Sequence, residues 1–260
     1  MAKFITFFGQ KGGCGKTTLS VLCANYLAYC QNKKVTVLDA DYPQHSMVNK
    51  RKLDYSKLSE SVRSKRPLNL CYSILPCCLG SAPNKDNVTK DVAPFILDER
   101  YRERLGDFVF VDFVGSVNLG ASTDTMFQCL AKMDYIFIPF EFSDLSLLSQ
   151  YQSTLIMINH IKKTNPNVKV VTFFNKIPNQ GNFFSGSKAE KQILDAYNKL
   201  NVDIRMENGV TDSIRMRSFD CVNTVLPIRH KYLKGYESEG YHNEGKIGSF
   251  IDEFYSIITK

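Results

Sequence analysis

Lys11-Gly12-Gly13-Cys14-Gly15-Lys16-Thr17-Thr18 follows, across Gly9 and Gln10, the apolar run Lys3-Phe4-Ile5-Thr6-Phe7-Phe8. Each part of this octapeptide meets a requirement of a phosphate cradle. Backbone N–H groups must point into one concavity, and glycines allow both the turn and the close approach of an anion. Gly12, Gly13 and Gly15 supply that freedom. Lys16 offers a cation to phosphate oxygens, and Thr17 a hydroxyl suited to Mg2+. The run before the loop reads as a buried strand. After it, Thr17 to Cys30 sets Leu19, Leu22, Cys23, Tyr26, Leu27 and Cys30 at helical spacing. Strand, glycine loop and helix in that order aim a helix N-terminus at the anion.

The loop is a variant. The standard spacing GxxxxGK[ST] requires its first glycine where this chain has Gln10, and Gly9 falls one residue too early. The variant carries a second lysine, Lys11, at its start.

Outward from the loop, apolar strands alternate with amphipathic helices. Val35 to Leu38, Phe108 to Phe113, Tyr135 to Phe140 and Val168 to Phe174 read as strands. Asp144 to Lys163, Ser187 to Leu200 and Lys246 to Ile258 read as helices, and Val202 to Met206 as a short strand. This alternation predicts an α/β fold, a doubly wound and mostly parallel sheet with helices on both faces. No linker or internal repeat divides the chain, so one domain over residues 1–260 is expected. Tyr42 to Asn87 and Leu233 to Gly245 resist assignment. No apolar run approaches the roughly 18–20 residues that a membrane span needs. The opening residues lack a signal peptide's layout, so a cytoplasmic location is expected. Eight cysteines lie scattered without a CxxC pair, which fits reduced thiols better than a metal cluster.

Carboxylates terminate two of the strands. Val37-Leu38-Asp39-Ala40-Asp41 ends the second, and Val109-Phe110-Val111-Asp112 ends another. The carboxyl ends of parallel strands are where open α/β sheets bind ligands. Asp112 has the place of an acid that holds a Mg2+ shell through water.

KGGCGKTT resembles the deviant Walker A loop, KGGxGK[ST], of the ParA/MinD family of ATPases. The resemblance implies ATP and Mg2+ as cofactors. Gly12, Gly13, Cys14, Gly15, Lys16, Thr17 and Thr18 would hold the nucleotide. Lys11 would reach across a homodimer to the partner's ATP, where a second cation offsets the charge of phosphoryl transfer. Asp39 to Gln44 resembles the family's DxDPQ motif with Tyr42 inserted. By that likeness Asp39 supports the metal and Asp41 orients the attacking water. The turn after Asp112, Phe113-Val114-Gly115-Ser116, departs from the proline-rich turn common in relatives. Asn175 matches an asparagine that contacts adenine, or it starts a turn at a strand end. Glu141 reads as a surface acid or, by the family layout, as a switch-region residue, the former being the better reading.

The net charge of +7 permits a polyanionic partner. Basic residues cluster at 43–66 and again at 205–234. Small members of the family bind DNA non-specifically through the C-terminal part, which selects Arg215, Arg217, Arg229, Lys231 and Lys234. The expected function is a dimerising ATPase that partitions or positions plasmid, chromosomal or conjugative DNA, with hydrolysis stimulated by a ParB-like partner. Three alternatives stand beside it. One is a MinD-like membrane-associated ATPase, although the closing helix, with Asp252 and Glu253 among its polar residues, suits packing on the sheet better than a bilayer. The second is a nitrogenase-type cluster carrier using Cys71, Cys77 or Cys78. The third is a nucleotide-binding protein with little turnover.

Overall fold

The computed structural model describes residues 1–9, 12–56, 60, 72–80, 89–115, 121–141, 144–177, 188–211 and 244–260. The strands are β1 (Lys3–Phe7), β2 (Val35–Ala40), β3 (Ser73–Cys78), β4 (Lys90–Asp91), β5 (Phe108–Phe113), β6 (Tyr135–Glu141), β7 (Lys169–Ile177), β8 (Ile204–Arg205) and β9 (Val210–Thr211). The helices are α1 (Lys16–Asn25), α2 (Ser46–Ser56), α3 (Ala93–Leu97), α4 (Glu99–Arg102), α5 (Ala121–Ala131), α6 (Asp144–Thr164), α7 (Lys188–Asn198) and α8 (Glu244–Thr259).

The strands form one sheet in the order β4-β3-β2-β5-β1-β6-β7-β8, with β9 also paired to β7. Every described pairing is parallel. β8 and β9 lie along the same edge of β7, at Val171–Thr172 and at Asn175–Ile177. The outermost strands are only two residues long, which limits the edge left for pairing with other chains. The sequence-level expectation of a doubly wound α/β sheet is met.

Successive strand residues face opposite sides, so even continuously apolar strands feed two cores. Ile5, Phe7, Val37, Phe110, Phe137 and Phe173 pack with α1 and α8 on one face. Phe4, Phe8, Val109, Val111, Ile136 and Ile138 pack with α3, α5, α6 and α7 on the other. α8 is held by Phe254, whose ring lies 5.1 Å from Phe137 and 6.2 Å from Phe7, and by Phe250, 5.0 Å from Phe173. Its apolar stripe of Phe250, Ile251, Phe254 and Ile258 is fully buried in the protein's own core. Truncating Phe254 to alanine is expected to cost about 3–5 kcal/mol.

Three local outcomes differ from the sequence pattern. The helix expected through Cys30 is regular only to Asn25; Tyr26–Cys30 widens into a π-turn, with Gln31 N donating to Tyr26 O at 3.1 Å. The unassigned stretch from Tyr42 holds α2 and β3. Among the described residues of the first basic cluster, Lys50 pairs with Asp54 at 2.7 Å, Arg51 is buried over the Tyr72 ring, and Lys52 is exposed. The six cysteines among the described residues are free thiols, and five of them are buried. Burial pushes the Cys77 thiol up to about 12, which keeps it protonated and a poor metal ligand. No helix among the described residues is long and apolar enough to cross a membrane.

Candidate nucleotide site

β1 lies between β5 and β6, while the chain leaves it for β2 two positions away and later returns for β6 on the other side. Such a reversal of direction opens a crevice beyond the carboxyl ends of the strands. The glycine loop sits there. Gly13 has φ +76° and Gly15 φ +88°, backbone conformations that L side chains rarely adopt. A Cβ at Gly12 or Gly13 would meet nothing within 4 Å, so the loop faces open space. Gly15 is the N-cap of α1 and has no side chain to cap it, and no acid occupies the first turn. The first N–H groups of α1 are thereby offered to an anion.

Lys16 is buried at 8% exposure and its Nζ lies 3.7 Å from Cys14 Sγ. The ammonium rests over Gly115, where a Cβ would stand 2.6 Å from Nζ. This explains glycine in the altered turn after Asp112, since a larger residue there must displace the loop lysine. Thr17 Oγ1 donates to Asp112 Oδ2 at 2.8 Å. Asp112 is buried at the end of β5, and its Oδ1 has no hydrogen-bond partner among the described residues. Desolvation raises its pKa from 3.8 to about 7; the Thr17 hydroxyl opposes the rise, and the Asp39 and Asp41 charges add to it. A hydroxyl beside a buried carboxylate with a spare oxygen is the donor set a hard divalent cation takes. Thr17 and Asp112 therefore fit Mg2+.

Asp39 stands next to Asp112 in register on β2. It is fully buried, and its Oδ2 accepts from Met47 N at 3.0 Å and Val48 N at 2.9 Å, in the first turn of α2. Burial raises its pKa, with the Val48 hydrogen bond opposing. Asp41 borders the cavity, and Ser46 Oγ donates to its Oδ2 at 3.3 Å. The cavity measures about 500 Å3 and is lined by the glycine loop, Lys16, Thr17 and Thr18, by Asp41, Gln44 and Ser46, and by Phe113, Val114 and Gly115. Ser46 and Phe113 were not anticipated as wall residues. Ser46 had a weak signal, a hydroxyl just after a turn; Phe113 read as the end of a strand and the start of the turn after Asp112.

Asn175 is fully buried at the end of β7, and its Nδ2 donates to Cys14 O at 2.7 Å. Its carboxamide thus reaches the phosphate loop from two strands away. Glu141 pairs with Lys176 at 2.6 Å. Lys11 and the DNA candidates Arg215, Arg217, Arg229, Lys231 and Lys234 lie outside the described residues, as does Cys71. The structure brings together Gly12 to Thr18, Asp39, Asp41, Asp112 and Asn175 at one end of the sheet.

Residues 5–218 match a family model described as the CobQ/CobB/MinD/ParA nucleotide binding domain. Maintenance of carboxysome distribution protein A of Halothiobacillus neapolitanus is 29% identical over 166 residues, 64% of this chain and 62% of that protein. The match thus spans less than two thirds of that relative's length. Among solved structures, the MinC:MinD cell division protein complex of Aquifex aeolicus superposes with a TM-score of 0.57 at 16% identity, covering 100% of this chain and 97% of the other. The apo McdA structure from Cyanthece gives 0.54 at 16% identity, covering 97% and 99%. At these identities the likeness is one of fold.

Proposed function

The chain belongs to the CobQ/CobB/MinD/ParA nucleotide binding domain family, and from that premise we propose that it is an ATPase that dimerises around ATP, binds DNA non-specifically and positions or partitions a DNA-linked cargo. The observation that carries this reading is the Thr17–Asp112 pair on the floor of the glycine loop, with the second Asp112 oxygen open.

The glycine loop and the start of α1 bind the phosphates of ATP through backbone N–H groups. Lys16, which lies against Gly115, neutralises the β and γ oxygens. Thr17 and Asp112 would hold Mg2+, which would supply positive charge against the phosphates. Asp41, fixed by Ser46 at the cavity wall, orients the attacking water. Lys11 crosses to the partner subunit's nucleotide and completes the site only in the dimer. Asn175 braces the loop through Cys14 and, by the family likeness, contacts adenine. Arg215, Arg217, Arg229, Lys231 and Lys234 track the DNA backbone. Slow turnover, quickened by a ParB-like partner, then resets the dimer.

The deciding experiment measures DNA binding with ADP, ATP and a slow ATP analogue across a salt series. Binding seen only with the triphosphates, with a steep inverse dependence on salt, supports the proposal. Binding indifferent to nucleotide removes the DNA part. ATP left intact at saturating DNA removes the ATPase part.

A further inference from the structure

The geometry points to Asp39 as a positioning residue that fastens the first turn of α2, and with it the segment carrying Asp41, to the end of β2. This deepens the reading given above and rests on Asp41 as the residue that orients water.

A helix start has N–H groups without acceptors and a partial positive charge, and a side chain just before the helix normally answers both. In α2 that place belongs to His45, at φ +44°, whose Nδ1 is turned to Asp39 O at 3.2 Å. The acceptor comes instead from the neighbouring strand. Asp39 Oδ2 takes Met47 N at 3.0 Å and Val48 N at 2.9 Å, the second and third residues of the helix. Between these two anchor points the chain folds back on itself. His45 N donates to Asp41 O at 2.8 Å, and Ser46 Oγ to Asp41 Oδ2 at 3.3 Å. Asp41 reaches the cavity wall on a loop held at both ends by the Asp39 residue.

This role differs from metal support in a way that one substitution separates. Asn at position 39 keeps an oxygen for both amide protons and removes the charge. Asp39→Asn should therefore leave amide hydrogen exchange at Met47 and Val48, and the Mg2+ concentration for half-maximal binding of a fluorescent ATP analogue, as in the unaltered protein. Asp39→Ala should speed exchange at Met47 and Val48 by about tenfold or more, as expected for losing a bond to a charged acceptor. It should also lower kcat while KM for ATP stays put. Ser46→Ala should lower kcat without moving the Mg2+ requirement. As the contrast, Asp112→Asn should raise that requirement about tenfold or more.

The proposal is overturned if Asp39→Asn raises the Mg2+ requirement as Asp112→Asn does. It is equally overturned if Asp39→Ala leaves the two amides as protected as before. If Asp39→Ala does not fold, Asp39→Asn and Ser46→Ala decide the matter. An unaltered protein that binds but never hydrolyses ATP refutes the reading of Asp41, while exchange and Mg2+ titration still decide the Asp39 tie.

Discussion

The two ends of the central sheet treat their aspartates in opposite ways. At the amino ends of the strands, each acid is consumed in joining neighbours. Asp107 Oδ2 accepts from Lys34 N at 2.8 Å. Asp134 Oδ2 accepts from Phe4 N at 2.7 Å and from Arg102 at 2.8 Å. Asp203 Oδ2 repeats the pattern with Val170 N at 2.7 Å and Lys162 at 2.6 Å. At the carboxyl ends, Asp39 and Asp112 are buried side by side, and each keeps one oxygen with no partner among the described residues. Buried polar groups are nearly always paired, because an unpaired one costs about 1–3 kcal/mol. The lower acids stabilise the fold, and Asp39 does so through the oxygen that holds α2, whereas the open oxygen of Asp112 is a cost that a ligand relieves. The contrast locates the site by energetics alone.

The comparison breaks most sharply if the upper acids prove dispensable for chemistry. Asp41→Ala is expected to lower ATP hydrolysis about 10^2–10^4-fold while ATP-driven dimerisation, followed by light scattering, survives. Lys11→Ala should remove both and leave nucleotide binding to Lys16. Hydrolysis at the unaltered rate in Asp41→Ala would sink the water-orienting role.

At the lower end the expected change is in stability. Asp203→Ala strands Val170 N, while Lys162 keeps Val168 O, and about 1–3 kcal/mol should be lost in urea unfolding. Nucleotide affinity should not move. A large drop in affinity would mean that the two ends are coupled.

Asp112 sharpens the contrast by its sign. Its folded pKa of about 7 stands above the ordinary 3.8, so the folded protein holds this proton more tightly than the unfolded chain. Stability of the ligand-free protein should then fall as pH rises from about 4 to about 7 and level off above. Asp112→Asn should remove that slope and raise ligand-free stability at pH 8 by about 1–2 kcal/mol. A loss of stability in that variant would contradict the view of Asp112 as an energetic burden.

The smallest effect belongs to Gly115→Ala. The added Cβ meets the flexible end of Lys16, which can shift, so about 1 kcal/mol of ATP affinity, roughly fivefold in Kd, should be lost. Calorimetric titration with ATP would register it.

Much of this was legible in the sequence. Phe108–Phe113 is legible with the observed bounds because its apolar run starts just after Asp107 and closes shortly before Gly115. Gly13 and Gly15 declared the loop by their conformational demand. What stayed hidden depends on partners distant in sequence. α2 has a polar, basic surface and no apolar stripe; its N-terminus is stabilised by Asp39 from another element, so no local capping signal exists. β3 carries Pro76, which lacks a ladder donor and reads against a strand, yet it pairs opposite Asp39. α5 carries Cys129 and Leu130 into the core but went unassigned because its first turn, Ala-Ser-Thr-Asp, looks like a loop. Asn175's tie to Cys14 spans strands that no periodicity connects.

The position of β1 has a consequence for biosynthesis. It precedes β5 and β6 in the chain by about a hundred residues or more, yet these are its neighbours in the sheet, at Phe108–Phe110 and at Tyr135–Phe137. The glycine loop therefore cannot take its binding shape on the ribosome until Phe137 has emerged. Until then Phe4, Ile5, Phe7 and Phe8 wait without the partners that bury them, and such long-range parallel pairing is slow and prone to aggregation. The residues of the phosphate loop are thus made well before the strands that hold β1 in place.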